Sequence, residues 1–282
     1  MITAKLTDSA GVEITATYDH ENPDSGNTWL TKLDGWTGGV SVKGEQLARS
    51  GHGDFSLPNK RSRRNLTLGF MAERDSRAEL WQLERGLSGL FADGGFGTLQ
   101  ITQDGLVQYC DVELDGEVKP IVQLEAGVLE AEIPLSAPVP WIYGEWKQAQ
   151  LRPQDQGIGL AYDLFSVDGV LTYGTDIDSE QSVWNDGNAP SYAIYTVYAD
   201  TTGGFRIRQG DSFVTWPMPT FKDVPVEVHM SGKVMVSGFD QSHVLSDRGW
   251  APVPAHSMEK ASFELLRGGS GWATVAFRDT SI

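Results

Sequence analysis

Glycine-centred turns break this chain into short segments, and that punctuation confines it to a mainly β fold. Asp104-Gly105 separates residues 98–102 from 106–112, and Asp115-Gly116 separates 112–114 from 118–122. Pairs of this kind accept the positive φ angles of tight hairpin loops, so both sites predict hairpins. The pattern continues downstream. Asp168-Gly169 lies between 160–167 and 170–173, Gln209-Gly210-Asp211 between 205–208 and 212–216, and Ser231-Gly232 between 224–230 and 234–236. Thr201 to Gly204 follows residues 191–198, and Arg267 to Gly271 parts 262–266 from 272–277. Many short strands at such spacing predict sandwich-type layers.

One helix interrupts this pattern. Asp75-Ser76-Arg77-Ala78-Glu79 has the spacing of a capping box, in which Ser76 and Glu79 satisfy orphan amides reciprocally. Leu80, Leu83, Leu87, Leu90 and Phe91 follow as an apolar stripe at helical spacing, and Gly94-Gly95 offers a stop. The first half therefore reads as a β domain with one packed helix.

A chain of 282 residues suits two domains of ordinary size. The Pro- and Trp-rich stretch from Pro138 to Trp146 is the natural seam, which predicts domains at 1–145 and 146–282. No apolar run is long enough to span a bilayer, no signal-peptide pattern follows Met1, and Ser281-Ile282 carries no lipidation pattern. The expectation is a soluble protein made in the cytoplasm, without membrane insertion. The net charge of −16 argues against a surface that grips nucleic acid, since such a surface needs a basic stripe. An acidic surface would instead let DNA pass without sticking.

The residues that could carry chemistry form no known constellation. Cys110 is the single cysteine and lies in an alternating strand, so it reads as a buried structural thiol. His20, His52, His229, His243 and His256 are scattered, outside any zinc spacing. Gly94-Gly95-Phe96-Gly97 precedes a strand, the wrong context for cradling phosphate on a helix. Asp176-Ile177-Asp178-Ser179-Glu180 lacks the glycine and ligand spacing of a calcium loop and reads as a solvated acidic loop. Asn185-Asp186-Gly187-Asn188 reads as Asx turns. The basic run Lys60-Arg61-Ser62-Arg63-Arg64 reads as a solvated loop or a donor of salt bridges to another subunit. Trp184, Tyr192, Tyr195, Tyr198, Trp216, Trp250 and Trp272 could stack on sugar rings, but alternation along 192–198 favours packing on both strand faces. No catalytic, cofactor-binding or metal-binding residue is assigned.

The order of elements resembles a known family. Trp29-Leu30-Thr31-Lys32-Leu33-Asp34-Gly35-Trp36, the loop at His52-Gly53, the strand Arg64-Asn65-Leu66-Thr67-Leu68, the helix from Ser76, Gly97-Thr98-Leu99 and the closing Ala137 to Gly144 are similar to the distal tail proteins, or minor tail proteins, of long-tailed bacteriophages. In the second half Val183 to Pro190, Phe205-Arg206-Ile207 and Gly271 to Arg278 extend the resemblance over nearly the whole chain. It implies two β-sandwich domains. The first is tail-tube-like and ring-forming, and the second is peripheral and galectin-like or carbohydrate-module-like. It further implies a virion protein, typically a hexameric ring of identical subunits, that joins the tail tube protein to the tail-tip hub. DNA would pass through its lumen without specific binding, and no substrate would be turned over. The alternative is a soluble lectin-like protein for host-surface recognition; a glycoside hydrolase comes third, since nothing selects a carboxylate pair.

Overall fold

The computed structural model describes residues 1–19, 27–43, 47–48, 52, 54–55, 60–153, 161–162, 171–172 and 179–282. They form two compact units, Met1–Glu145 with Ser281–Ile282, and Trp146–Thr280. The chain is mainly β, with a single α-helix among the described residues.

The first unit contains β1 (Ile2–Thr7), β2 (Glu13–Tyr18), β3 (Thr28–Asp34), β4 (Val42–Lys43), β5 (Leu47–Ala48), β6 (Asp54–Phe55), β7 (Lys60–Arg61) and β8 (Arg64–Glu73). Then come α1 (Arg77–Ser88), β9 (Gly97–Gln103), β10 (Leu106–Leu114), β11 (Lys119–Gln123), β12 (Val128–Ala137) and β13 (Ile142–Tyr143). The order β12-β8-β3-β2-β1-β9-β10 returns on itself, because Glu113 and Leu114 of β10 pair with Ser136 and Leu135 of β12. The layers expected of a sandwich are thus joined into a closed barrel, with β11 attached outside the ring on β12. Period-two alternation turns Ala4, Leu6, Leu68, Phe70, Leu99, Ile101, Leu129 and Ile133 inward, where they are buried.

The two predicted hairpins of this unit have different outcomes. At Asp104-Gly105, Gln103 pairs with Leu106, and both loop residues take positive φ, 51° and 85°. Asp115-Gly116 makes no hairpin: β10 and β11 both pair with β12, at different points along it. Asp115 donates its N–H to Pro134 O at 3.0 Å, so the chain is already bound to β12 when it leaves β10. α1 lies against β11 and β12. Leu80 and Leu87 are each 1% exposed in the core, joined by the half-buried Leu83. Ser76 caps the helix by accepting the Glu79 N–H at 3.3 Å. The helix stops at Gly89 rather than at Gly94-Gly95: the Gly89 N–H makes the last helical bond, to Arg85 O, and Leu90 and Phe91 leave the helical path to enter the core.

The second unit contains β14 (Lys147–Leu151), β15 (Ala161–Tyr162), β16 (Leu171–Thr172), β17 (Gln181–Asn185), β18 (Ile194–Asp200), β19 (Phe205–Gln209), β20 (Ser212–Trp216) and β21 (Val226–His229). β22 (Lys233–Val236), β23 (Phe239–Asp240), β24 (Asp247–Arg248), β25 (Ser257–Leu265) and β26 (Ser270–Phe277) complete it; β27 (Thr280–Ser281) follows, its Ser281 belonging to the first unit. Two sheets, β14-β26-β18-β21-β22-β23 and β17-β25-β19-β20-β24, contribute side chains to one core, which makes a sandwich. Gly210-Asp211 and the Ser231-Gly232 turn close hairpins. Residues 201–204 and 267–271 instead carry the chain from one sheet to the other, since β18 and β26 lie in the first sheet and β19 and β25 in the second. β15 pairs with β16, whereas the Asp168-Gly169 turn between them lies outside the described residues.

Candidate functional site

At the start of β8, period two places Arg64 in phase with Leu66, Leu68 and Phe70, and its side chain follows them inward. Arg64 is 2% exposed, so the reading of the basic run as wholly solvated is corrected at this residue. Its Nη1 donates to Gly35 O at 2.6 Å and Trp36 O at 3.0 Å, and Nε donates to Pro140 O at 3.2 Å. Burial lowers the pKa of this guanidinium from its ordinary value. Lys60, Arg61 and Arg63 remain exposed, and Arg63 pairs with Asp115 at 3.2 Å. Alternation was the available signal for Arg64, hidden by its basic neighbours. Asp8 is a second buried anchor, accepting N–H groups of Ala10, Val12 and Phe91 at 2.9, 2.8 and 3.2 Å. Its partner Phe91 lies 83 positions away, beyond any local pattern.

The barrel wall presents two chemically different outer faces. Across β2, β1, β9 and β10 the register aligns Thr15-Lys5-Gln100-Tyr109, Thr17-Thr3-Thr102-Val107 and Glu13-Thr7-Thr98-Asp111. Threonine hydroxyls dominate this face, and Lys5 neutralises Glu13 at 2.8 Å. It carries no basic stripe. Across β3, β8, β12 and β11 the row is instead Trp29-Met71-Glu130-Ile121. There β2 and β3 pair only at Thr17 and Trp29, and a groove of about 610 Å³ opens, lined by Tyr18, Trp29, Leu30, Met71, Glu73 and Val128 among others. The Trp29 Nε1 atom is buried in this wall without a hydrogen-bond acceptor.

The remaining candidates stay apart. Among the described residues no three His, Cys, Asp or Glu side chains come together to hold a metal ion. Cys110 is fully buried in the barrel, and burial pushes its thiol up to about 12. His52 is exposed, His229 lies 3.4 Å from Glu227, and His20 and Asp176–Asp178 fall outside the described residues. Glu180 pairs with Lys260 at 2.8 Å. Asn185 is fully buried and does more than form a local turn. Its Nδ2 donates to the carbonyls of Ala189, Val253 and Pro254, and its Oδ1 accepts from Gly187 and Thr280.

The aromatic residues of the second unit are largely engaged. Tyr195, at 0% exposure, donates to Gln209 Oε1 at 2.9 Å, and Trp216 stacks on Phe205. Tyr198 stacks on Trp272, over which Lys222 also lies; Trp184 meets the edge of Phe277 and carries Lys147 above its ring.

The fold thus defines a class, a two-unit β protein made of a barrel with one packed helix and a sandwich. No protein-family model matches the chain, and no curated protein matches it. Among solved structures, it is similar to the crystal structure of the SPP1 Dit (gp 19.1) protein, described as a paradigm of the hub adsorption apparatus in phages that infect Gram-positive bacteria. The TM-score is 0.61 and the identity 10%, over 100% of both chains. A chain of the phage P2 baseplate in its activated conformation with Ca aligns at a TM-score of 0.56 and 13% identity, over 99% of this chain and 98% of that one. The same baseplate with Sr gives a TM-score of 0.55 at 13% identity, with the same coverage. The chain shares their fold from end to end.

Proposed function

We propose that this chain is a structural protein of a bacteriophage tail, a ring-forming subunit at the distal end that joins the tail tube to the tail-tip hub. The observation that carries the reading is the end-to-end likeness of both units, in order, to a phage hub protein. In this reading Met1–Glu145 builds a ring, most simply a hexamer, and the second unit is a peripheral galectin-like sandwich. The protein assembles and conducts; it turns over no substrate.

The threonine-rich face of β2, β1, β9 and β10 suits the DNA channel. A duplex repelled weakly and gripped nowhere moves freely past hydroxyls, whereas a row of lysines or arginines would hold its phosphates. The charges on this face are few and not basic: Lys5 pairs with Glu13, and Asp111 adds a carboxylate.

Negative-stain images of the protein assembled with its flanking tail proteins test the proposal. Rings with a central hole are expected. Images and sedimentation that show only single copies in that mixture would overturn it. A lectin would instead bind glycan arrays as a monomer or dimer.

A further inference from the structure

Lys60 and Arg61, which form β7, are exposed and make no ion pair among the described residues. Glu73 and Glu130 are likewise exposed and unpaired there. The two sets lie toward opposite ends of β8. β7 precedes its start at Arg64, whereas Glu73 is its last residue and Glu130 sits beside Met71. At about 3.3 Å per residue the strand rises about 23 Å from Arg64 to Met71 and about 30 Å to Glu73. One unit therefore carries a basic patch and an acidic patch too far apart to meet within the same copy.

The acidic patch borders the groove described above, whose floor combines the apolar Met71 and Val128 with the rings of Tyr18 and Trp29. Apolar surface receives the methylene stems of lysine and arginine. Aromatic faces attract their cationic heads, and a carboxylate rim pairs with them.

We propose that this groove receives Lys60 and Arg61 of a second copy of the chain. The contact is head-to-tail, because the two patches occupy different places on one molecule. Such an interface leaves one free patch at each end of a growing assembly, and closes into a ring when the rotation per copy allows. The inference rests on the ring-forming reading and specifies its subunit contact.

Charge reversal of the full-length protein tests it by sedimentation. Glu73→Lys with Glu130→Lys breaks the groove, and Lys60→Glu with Arg61→Glu breaks the basic strand. Each double variant alone is expected to lower the association constant at least tenfold. An equimolar mixture of the two recovers association, because each intact patch then finds its complement and the two reversed patches also match. Association of the wild type should weaken as salt shortens the screening length from about 10 Å to about 3 Å. Wild-type rings that ignore both reversals would leave the ring reading standing and overturn this contact. Variants that lose association without recovery on mixing would overturn it too, as would a wild-type chain that stays monomeric alone and with its flanking tail proteins.

Discussion

Arg64 donates from Nη1 to the carbonyl oxygen of Gly35 at 2.6 Å, across 29 positions of sequence. Gly35 takes φ of +78°, and a Cβ there would overlap the Asn65 carbonyl, so the turn after β3 needs both a glycine and the guanidinium that holds it. The same side chain reaches Pro140, which ties the start of β8 to the segment after β12.

Arg64→Lys should therefore be far from conservative. A lysine ammonium cannot donate along the separate directions that Nε and Nη1 use, and buried carbonyls left without donors cost about 1–3 kcal/mol each. The expected loss is about 3 kcal/mol, read from the shift in denaturant midpoint at unchanged slope. Arg63→Lys, on an exposed neighbour, is the control and should change stability by less than about 0.5 kcal/mol.

Cys110 faces the barrel interior at 0% exposure, and its thiol is pushed from 9.0 up to about 12 by burial. The folded state holds this proton more tightly than the unfolded state. The thiol thus favours folding fully below pH 9.0, and that contribution drains as pH rises toward about 12. Comparing wild type with Cys110→Ala isolates this slope. At neutral pH a thiol reagent should modify the protein only as fast as the barrel opens; immediate labelling of native protein would show the site to be open.

The helix set separates buried from exposed faces. Leu87→Ala removes a side chain that is 1% exposed and should cost about 2–5 kcal/mol. Ser76→Ala removes the acceptor for the Glu79 N–H and should cost about 1 kcal/mol. Glu84→Ala should be nearly neutral, within about 0.5 kcal/mol. A Glu84 variant as damaged as Leu87→Ala would overturn the assignment of the buried face.

Asn185→Asp is an isosteric test of the second unit. The Nδ2 group that donates to Ala189, Val253 and Pro254 would become a carboxylate oxygen facing three carbonyls. The expected cost is about 3 kcal/mol or more, since the new charge is buried without a donor on that side. Thermal unfolding of the full chain reads it directly.

The sequence alone determined the features that complete themselves within a few residues. The mainly β class follows from period-two alternation and turn residues. The helix start follows from Ser76 and Glu79, and the hairpins at Asp104-Gly105 and Gly210-Asp211 follow from residues that accept their loop angles. Each depends on one cap bond or one pair of dihedrals, so neighbours in sequence suffice to specify it. Tertiary structure alone decided whether Asp115-Gly116 would fold back on β10 or pass to β12, where the helix would stop, and which member of a basic run would be buried. It also closed the barrel, made one wall hydroxyl-rich and another grooved, and brought Arg64 to Pro140 across 76 positions. These outcomes depend on competition among distant backbone donors and acceptors for partners, and on which side chains the closed wall can exclude from water. A local pattern holds no information about those partners until the chain has packed.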